Sequence, residues 1–301
     1  MFDIIIIGGG VAGMTAALYS LRNNKKVLLI EKETIGGQIA KSPKVENYPT
    51  YKEISGSELA DGLFDQISAL GVEFELEKVE KISKEGNIFS VQTDYQTYQA
   101  KSVIIATGAK PRLLGLEGED RLIGKGVFYC AICDGPFYAG KEVSLIGDAN
   151  SALQYALMLS SYCTKVHMFT LFDKFFGEKA LQDKVRQTPN IEVAHSCKAV
   201  ALNGENELES IVFEKPDGSR FTHNTNAVFV AIGQLPDNEA YKNYASLDKI
   251  GYVVSDEKCL TQTEGLFVAG DCRTKDVRQV TTAMADGAVA ATAACKYLNT
   301  I

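Results

Sequence analysis

The 301-residue sequence predicts an α/β protein with two Rossmann-like, doubly wound three-layer domains, the first of them discontinuous. Three observations carry this reading. A strand-turn-helix unit with the glycine spacing of a dinucleotide site opens the chain at Ile4–Gly13 and recurs in altered form at Val143–Ala152. Each copy closes on an apolar strand running into glycine, at Ala106-Thr107-Gly108 and at Ile232-Gly233. A further strand ends in Gly270-Asp271 and leads to an Ala-rich helix; the economical reading starts no third domain there and returns the segment to the first.

Taken in order, Met1–Ile7 is too short for a membrane span and lacks the basic start of a signal peptide, so it reads as a buried parallel strand. Gly8-x-Gly10-x-x-Gly13 follows, then a helix to about Arg22. The first glycine permits the tight turn, the second lets backbone approach a pyrophosphate, and the third lets helix and strand pack closely. The helix N-terminus adds unsatisfied N–H groups and the positive end of a dipole. A second strand, Lys26–Ile30, delivers Glu31, 23 residues after Gly8, to accept from the adenosine ribose hydroxyls. Strand-like runs continue at Val72–Leu76, Ile88–Thr93 and Val103–Ala106. Pro and Gly in Ala109–Gly118 and around Gln234–Asn238 mark two boundaries. The first domain is expected at 1–113 and 238–301, the second at 114–237.

In the second domain, strands are expected at Val143–Ile146, Val166–Thr170, Ile191–His195 and Ala227–Ile232. Its glycine turn reads Gly147-Asp148-Ala149-Asn150-Ser151-Ala152, so two of the three glycines are alanines and an acid sits in the turn. The position matching Glu31 is Thr170, followed by Leu171 and Phe172. No charged handle for the adenosine end of a nucleotide remains there. The same domain carries Cys130-Ala-Ile-Cys133-Asp134, the one closely spaced cysteine pair. Such a pair cycles between disulfide and dithiol, one thiolate attacking an outside disulfide and the other resolving it. No His-Glu dyad is apparent, which leaves the acid-base role open for Asp134, whose other reading is a turn or cap residue before Gly135-Pro136.

Composition narrows the rest. A net charge of −7 argues against nucleic acid as a partner. Seven cysteines, an odd number, make no disulfide framework, and Cys163, Cys197, Cys259, Cys272 and Cys295 read as small buried hydrophobes. The three histidines are scattered and no zinc ligand set is visible, so no metal is expected. The expected compartment is the cytoplasm.

Gly36-Gly37-Gln38, Asn47-Tyr48-Pro49, Thr107-Gly108, Cys130-x-x-Cys133-Asp134, Gly270-Asp271 and Arg278-Gln279-Val280 together resemble the low-molecular-weight thioredoxin reductase family, nearly end to end. The resemblance implies FAD in the first domain, with contacts from these segments. Asp271 is implied to bond the ribityl chain, and the last helix to point its N-terminal end at the flavin pyrimidine ring. It implies that Cys133 faces the flavin, that Cys130 attacks thioredoxin, that Asp134 protonates the leaving thiolate, and that the protein is a homodimer.

Where the family shows a His-Arg-Arg run for the 2′-phosphate, this chain has Thr170-Leu171-Phe172. It is most similar in this respect to the ferredoxin-dependent flavin thioredoxin reductases, which lack NADPH motifs. The expected function is transfer of electrons from reduced ferredoxin, through FAD and the Cys130–Cys133 dithiol, to thioredoxin. An NADPH-dependent reductase with an atypical nucleotide site stays open, as do a FAD-dependent dithiol oxidase using oxygen and a redox-sensing switch. Basic clusters at Arg22-Lys25-Lys26, Lys41-Lys44 and Lys110-Arg112 are candidates for docking an acidic ferredoxin.

Overall fold

In the computed structural model, which describes residues 1–42 and 45–301, the chain forms two units. Met1–Lys110 with Leu235–Ile301 makes one, and Pro111–Gln234 the other. Each crossing lies three residues before the boundary expected from Pro and Gly.

The first unit begins with β1 (Phe2–Ile7), α1 (Val11–Arg22) and β2 (Val27–Glu31). β1 lies between β2 and β6 (Thr97–Ile105) and runs parallel to both. It reads as an unbroken apolar run because both faces are covered. Ile4 and Ile6 join the core under the helices, while Ile5 and Ile7 join a second core with Phe89, Val91 and Val253. Burying each such isoleucine contributes roughly 2 kcal/mol. Between β2 and β6 come α2 (Gly56–Ser68), β3 (Glu73–Leu76), β4 (Val79–Glu85) and β5 (Ile88–Thr93). The expected strand Val103–Ala106 is thus the end of a nine-residue β6, whose first half pairs antiparallel with β5. α2 starts at Ser55, whose Oγ accepts from Glu58 N while Glu58 Oε2 accepts from Ser55 N.

β7 (Ala109–Pro111) straddles the first crossing. In the second unit follow α3 (Glu119–Leu122), β8 (Val127–Phe128), α4 (Ala131–Asp134), β9 (Glu142–Ile146), α5 (Asn150–Ser160), β10 (Lys165–Phe169), α6 (Lys179–Gln187) and β11 (Ile191–Ala194). A three-stranded antiparallel sheet, β12 (Lys198–Asn203), β13 (Ser210–Glu214) and β14 (Arg220–Asn224), precedes β15 (Val228–Val230). The parallel sheet has the order β11-β10-β9-β15-β8. It buries Val143 and Leu145 against α5 on one face and Ile146 with Phe213 on the other.

β16 (Gln234–Pro236) straddles the second crossing, and β17 (Leu266–Val268) and α7 (Val280–Leu298) complete the first unit. β17 pairs parallel with β6. α7 packs on α1 so closely at Gly287 that a Cβ there would lie 2.2 Å from Ala12 O. Among the described residues, no helix is long and apolar enough to cross a membrane.

Candidate active site

The first glycine turn is laced to two neighbours. Gly8 has φ +114°, and its N–H donates to Ile30 O at 2.7 Å. Gly9 N donates to Glu31 Oε2 at 2.6 Å, and Glu33 N to Glu31 Oε1 at 2.8 Å, so the carboxylate at the end of β2 holds the turn while keeping further lone pairs. Gly36 N donates to Gly9 O at 2.9 Å. This places Gly37, at φ +59°, where a Cβ would lie 3.4 Å from Gly10 Cα. Gln38 follows at the start of the short 3-10 turn Ile39–Lys41. Gly10 itself faces open space, since its Cβ would meet only Gly36 O at 4.0 Å.

Because β1, β2, β6 and β17 are parallel, their following turns share one edge of the sheet. A cleft of about 490 Å³ on that edge is lined by Gly8, Glu31, Lys32, Val79, Thr107 and Tyr241. Lys32, Val79 and Tyr241 were not read from the sequence. Thr107 Oγ1 donates to Asn238 Oδ1 at 3.0 Å, and Asn238 Nδ2 donates to Cys272 O at 2.8 Å and Gly251 O at 2.9 Å. Asn238, buried at the second crossing, therefore ties the Thr107-Gly108 turn to the Asp271-Cys272 turn.

At the other end, Asn47 Nδ2 donates to Gln279 Oε1 at 3.1 Å, and Gln279 caps α7, whose first residue is Val280. Arg278 directs its donors to the carbonyls of Asp271 (3.4 Å), Lys275 (3.0 Å) and Arg273 (3.3 Å), and its guanidinium lies 4.3 Å from the Tyr252 ring centroid. It braces the loop. Asp271 Oδ1 is buried without a hydrogen-bond partner, and burial raises its carboxyl above the ordinary value. A buried oxygen of this kind needs a donor. Together with the open space at Gly10 and Gly108, it fits a dinucleotide cofactor bearing hydroxyls.

In the second unit, Cys130 and Cys133 form a disulfide with Cα atoms 5.3 Å apart. Cys130 caps α4, and its Sγ accepts from Cys133 N at 3.2 Å. Asp134 follows in the same turn. Burial pushes its carboxyl up to about 6. The remaining five cysteines are free and buried.

The altered glycine turn follows β9. Ala152, wholly buried, takes the place of the third glycine, and Ala149 precedes α5 as its cap. Burial raises the Asp148 carboxyl. Thr170 turns inward: its Oγ1 donates to Phe172 O at 2.6 Å and shares a second bond of 2.8 Å with His195 Nδ1. What faces outward is apolar, with Leu171 52%, Phe172 50% and Phe176 56% exposed. Lys174 lies over the Phe176 ring, 5.5 Å from its centroid.

Of the basic clusters, Lys25 bonds Asn299, Lys26 pairs with Glu73 at 3.0 Å and Lys110 pairs with Glu33. Lys44 lies outside the described residues. No cluster of metal-ligating side chains occurs among the described residues.

Residues 2–287 match the family model described as pyridine nucleotide-disulphide oxidoreductase. The chain is 39% identical over 302 residues to a thioredoxin reductase of Treponema pallidum, covering 100% of this chain and 98% of that one. It is 38% identical over 299 residues to a 34.2 kDa protein in the rubredoxin operon of Clostridium pasteurianum, covering 99% and 97%. The crystal structure of thioredoxin reductase from Streptococcus pyogenes matches with a TM-score of 0.95 at 36% identity, covering 100% and 99%.

The chain belongs to the pyridine nucleotide-disulphide oxidoreductase family. It is a thioredoxin reductase-like flavoprotein disulfide reductase, and its cofactor is FAD. For this reductase the Asp134 carboxyl has a measurable consequence. Its pKa is raised by burial in the folded state, so the folded protein holds the proton more tightly than the unfolded chain does. Stability from this group is full below the unfolded value of roughly 3.9 and is lost as pH rises through about 6. Asp134→Asn removes that loss. The variant is expected to be more stable than the parent by up to about 3 kcal/mol at pH 8, with the gain shrinking toward pH 4. Urea unfolding at the two pH values checks this, and a gain independent of pH contradicts it.

Proposed function

We propose that this flavoprotein reduces the disulfide of thioredoxin with electrons from reduced ferredoxin, without a pyridine nucleotide. The observation that carries the reading is the end of β10. There a nucleotide's adenosine phosphate needs cations, and the chain presents exposed Leu171 and Phe172 beside an inward-turned Thr170. Two lost charge-assisted contacts at roughly 2 kcal/mol each weaken nucleotide affinity about a thousand-fold. The Asp148 carboxylate and the Ala149 methyl oppose a pyrophosphate at the turn as well.

FAD, when bound, supplies the conversion of single-electron deliveries into a two-electron reduction. In our reading, Gly8, Gly10 and Gly13 admit its pyrophosphate, and Glu31 receives adenosine ribose hydroxyls. Gly37, Gln38, Asn47, Thr107 and Gly108 border the remainder, Asp271 takes ribityl hydroxyls, and Gln279 with Val280 presents the start of α7. In the reduced dithiol, the Cys133 N–H aimed at Cys130 Sγ stabilises a thiolate on Cys130. That thiolate attacks the thioredoxin disulfide and forms a mixed disulfide, releasing one thioredoxin thiolate that Asp134 protonates. Cys133 then attacks Cys130 Sγ, releasing the second thiol and restoring the internal disulfide. Two electrons and two protons pass to thioredoxin, and two reduced ferredoxins with two protons restore the dithiol. A ferredoxin near about −400 mV and a thioredoxin near about −270 mV leave roughly 130 mV, or about 6 kcal/mol for two electrons.

The test is anaerobic. The FAD-loaded protein is mixed with NADPH, NADH or reduced ferredoxin, and flavin bleaching and thioredoxin thiol formation are followed. Ferredoxin is expected to drive both and the nucleotides neither. Rapid thioredoxin reduction by NADPH overturns the donor assignment.

A further inference from the structure

α7 carries one buried acid in an otherwise small and apolar helical stretch. Asp286 Oδ2 accepts from Gly270 N at 3.0 Å, Arg273 Nε at 2.9 Å and Lys275 Nζ at 2.9 Å, and its Oδ1 accepts from Arg273 Nη2 at 2.8 Å. The side chain of Arg273 is only 2% exposed, and those of Lys275 and Asp286 are 5% and 7% exposed. Two cations and an anion taken out of water together are seldom a route to stability, because desolvation offsets most of their attraction. Burial alone would raise the Asp286 carboxyl; the contacts with Arg273 and Lys275 outweigh it and hold the group below its ordinary value.

All four bonds reach the same short segment, Gly270–Lys275, and that segment carries Asp271. Asp271 Oδ1 has no bond of its own to fix it. Arg278 closes the segment from its far side through the carbonyls of Asp271, Arg273 and Lys275. The backbone that carries Asp271 is therefore braced by Asp286, through Gly270 N, Arg273 and Lys275, and by Arg278, through the carbonyls of Asp271, Arg273 and Lys275.

We propose that Asp286 is a positioning residue for the cofactor: by gathering Gly270 N, Arg273 and Lys275, it holds the Asp271 carboxylate ready for the hydroxyls of FAD. Asp286 acts through Asp271 and makes no contact with the cofactor. The proposal rests on the FAD site alone and is independent of which donor feeds it.

The test is a double-mutant cycle read as FAD affinity of the apoprotein, by quenching of flavin fluorescence. Asp286→Asn and Asp271→Ala are each expected to raise the Kd at least about ten-fold. Their combination is expected to be no weaker than Asp271→Ala alone, because the two changes remove the same contact. A residue that only supports the fold gives losses that multiply, and that result overturns the proposal. So does an Asp286→Asn Kd within about twofold of the parent. Should Asp286→Asn not fold, Lys275→Met takes its place in the cycle. It leaves the Asp286–Arg273 pair standing, is expected to give a smaller rise in Kd, and must likewise lose its effect in the Asp271→Ala background.

Discussion

Cys133→Ser is expected to lower thioredoxin reduction at least about a thousand-fold while leaving FAD bound. Serine lacks the nucleophilicity toward sulfur that resolving a mixed disulfide requires, and no internal disulfide then exists to receive electrons. The Cys130 thiol survives in this variant and keeps its N–H partner from the backbone of residue 133. A thioredoxin that lacks its own resolving cysteine and carries its remaining active-site cysteine as a thionitrobenzoate disulfide should therefore be captured as a covalent adduct, visible by non-reducing electrophoresis and intact mass. Cys130→Ser should give neither turnover nor adduct. FAD content is expected to match the parent in both, because the residues of the glycine cradle belong to Met1–Lys110 and Leu235–Ile301, whereas both cysteines belong to Pro111–Gln234. Sustained turnover by Cys133→Ser contradicts the dithiol mechanism. An adduct with Cys130→Ser, and none with Cys133→Ser, reverses the roles of the two sulfurs.

Gly13→Ala is expected to cost at least about 3 kcal/mol and to abolish FAD retention. The added methyl would lie 1.9 Å from Gly8 O, a backbone atom held in the turn, so α1 must move off β1 to admit it. Gly10→Ala makes the contrast. Its methyl meets only Gly36 O at 4.0 Å, so the apoprotein should unfold at the parent's midpoint while FAD binding falls sharply. Thermal unfolding of the apoproteins and flavin content of the purified proteins separate the two. Equal unfolding midpoints for the Gly13→Ala and Gly10→Ala apoproteins contradict the assigned division of labour. The second copy shows how the third position tolerates a methyl when the fold has adapted. Ala152 is buried there, and its Cβ lies 2.7 Å from where a Cβ on Gly147 would sit; the first position has no room in either copy, with Ala231 O at 2.5 Å from a Gly147 Cβ and Ala106 O at 2.3 Å from a Gly8 Cβ.

Much of the fold was legible because it rests on local signals. The core strands announce themselves as apolar runs, since parallel strands covered on both faces have no polar side to interrupt them. The return of Gly265–Leu298 to the first domain was the economical reading of one more strand ending in Gly-Asp and an Ala-rich helix after it. The pieces not read are those with weaker patterns. β4, β12 and β14 are largely exposed or only half covered, so their sequences mix charges with apolar residues, whereas β13, with Ile211 and Phe213 buried, is only five residues long. α2 could have been found: Ser55 and Glu58 form a capping box ahead of Leu59, Ala60, Leu63 and Ile67. Arg278 was read as a flavin contact from the family resemblance. Its three carbonyl partners depend on how the 271–278 loop folds back, which spacing does not reveal.

The sequence by itself determined the glycine cradle, Glu31 and the cysteine pair. Each rests on local signals: the positive φ of Gly8, the room that Gly10 and Gly13 leave for close approach, an acid at the end of the next strand, and the spacing that closes a disulfide within one turn. Only the tertiary structure decided which groups stand behind them. Thr107 meets Asn238 across 131 positions, and Asp286 meets the Asp271 loop because α7 packs back beside β17. Likewise, Thr170 was visible as a missing charge, but that its hydroxyl turns toward His195 and leaves Leu171 and Phe172 outside depends on β10 lying beside β11. Such partners lie far apart along the chain, and packing brings them together.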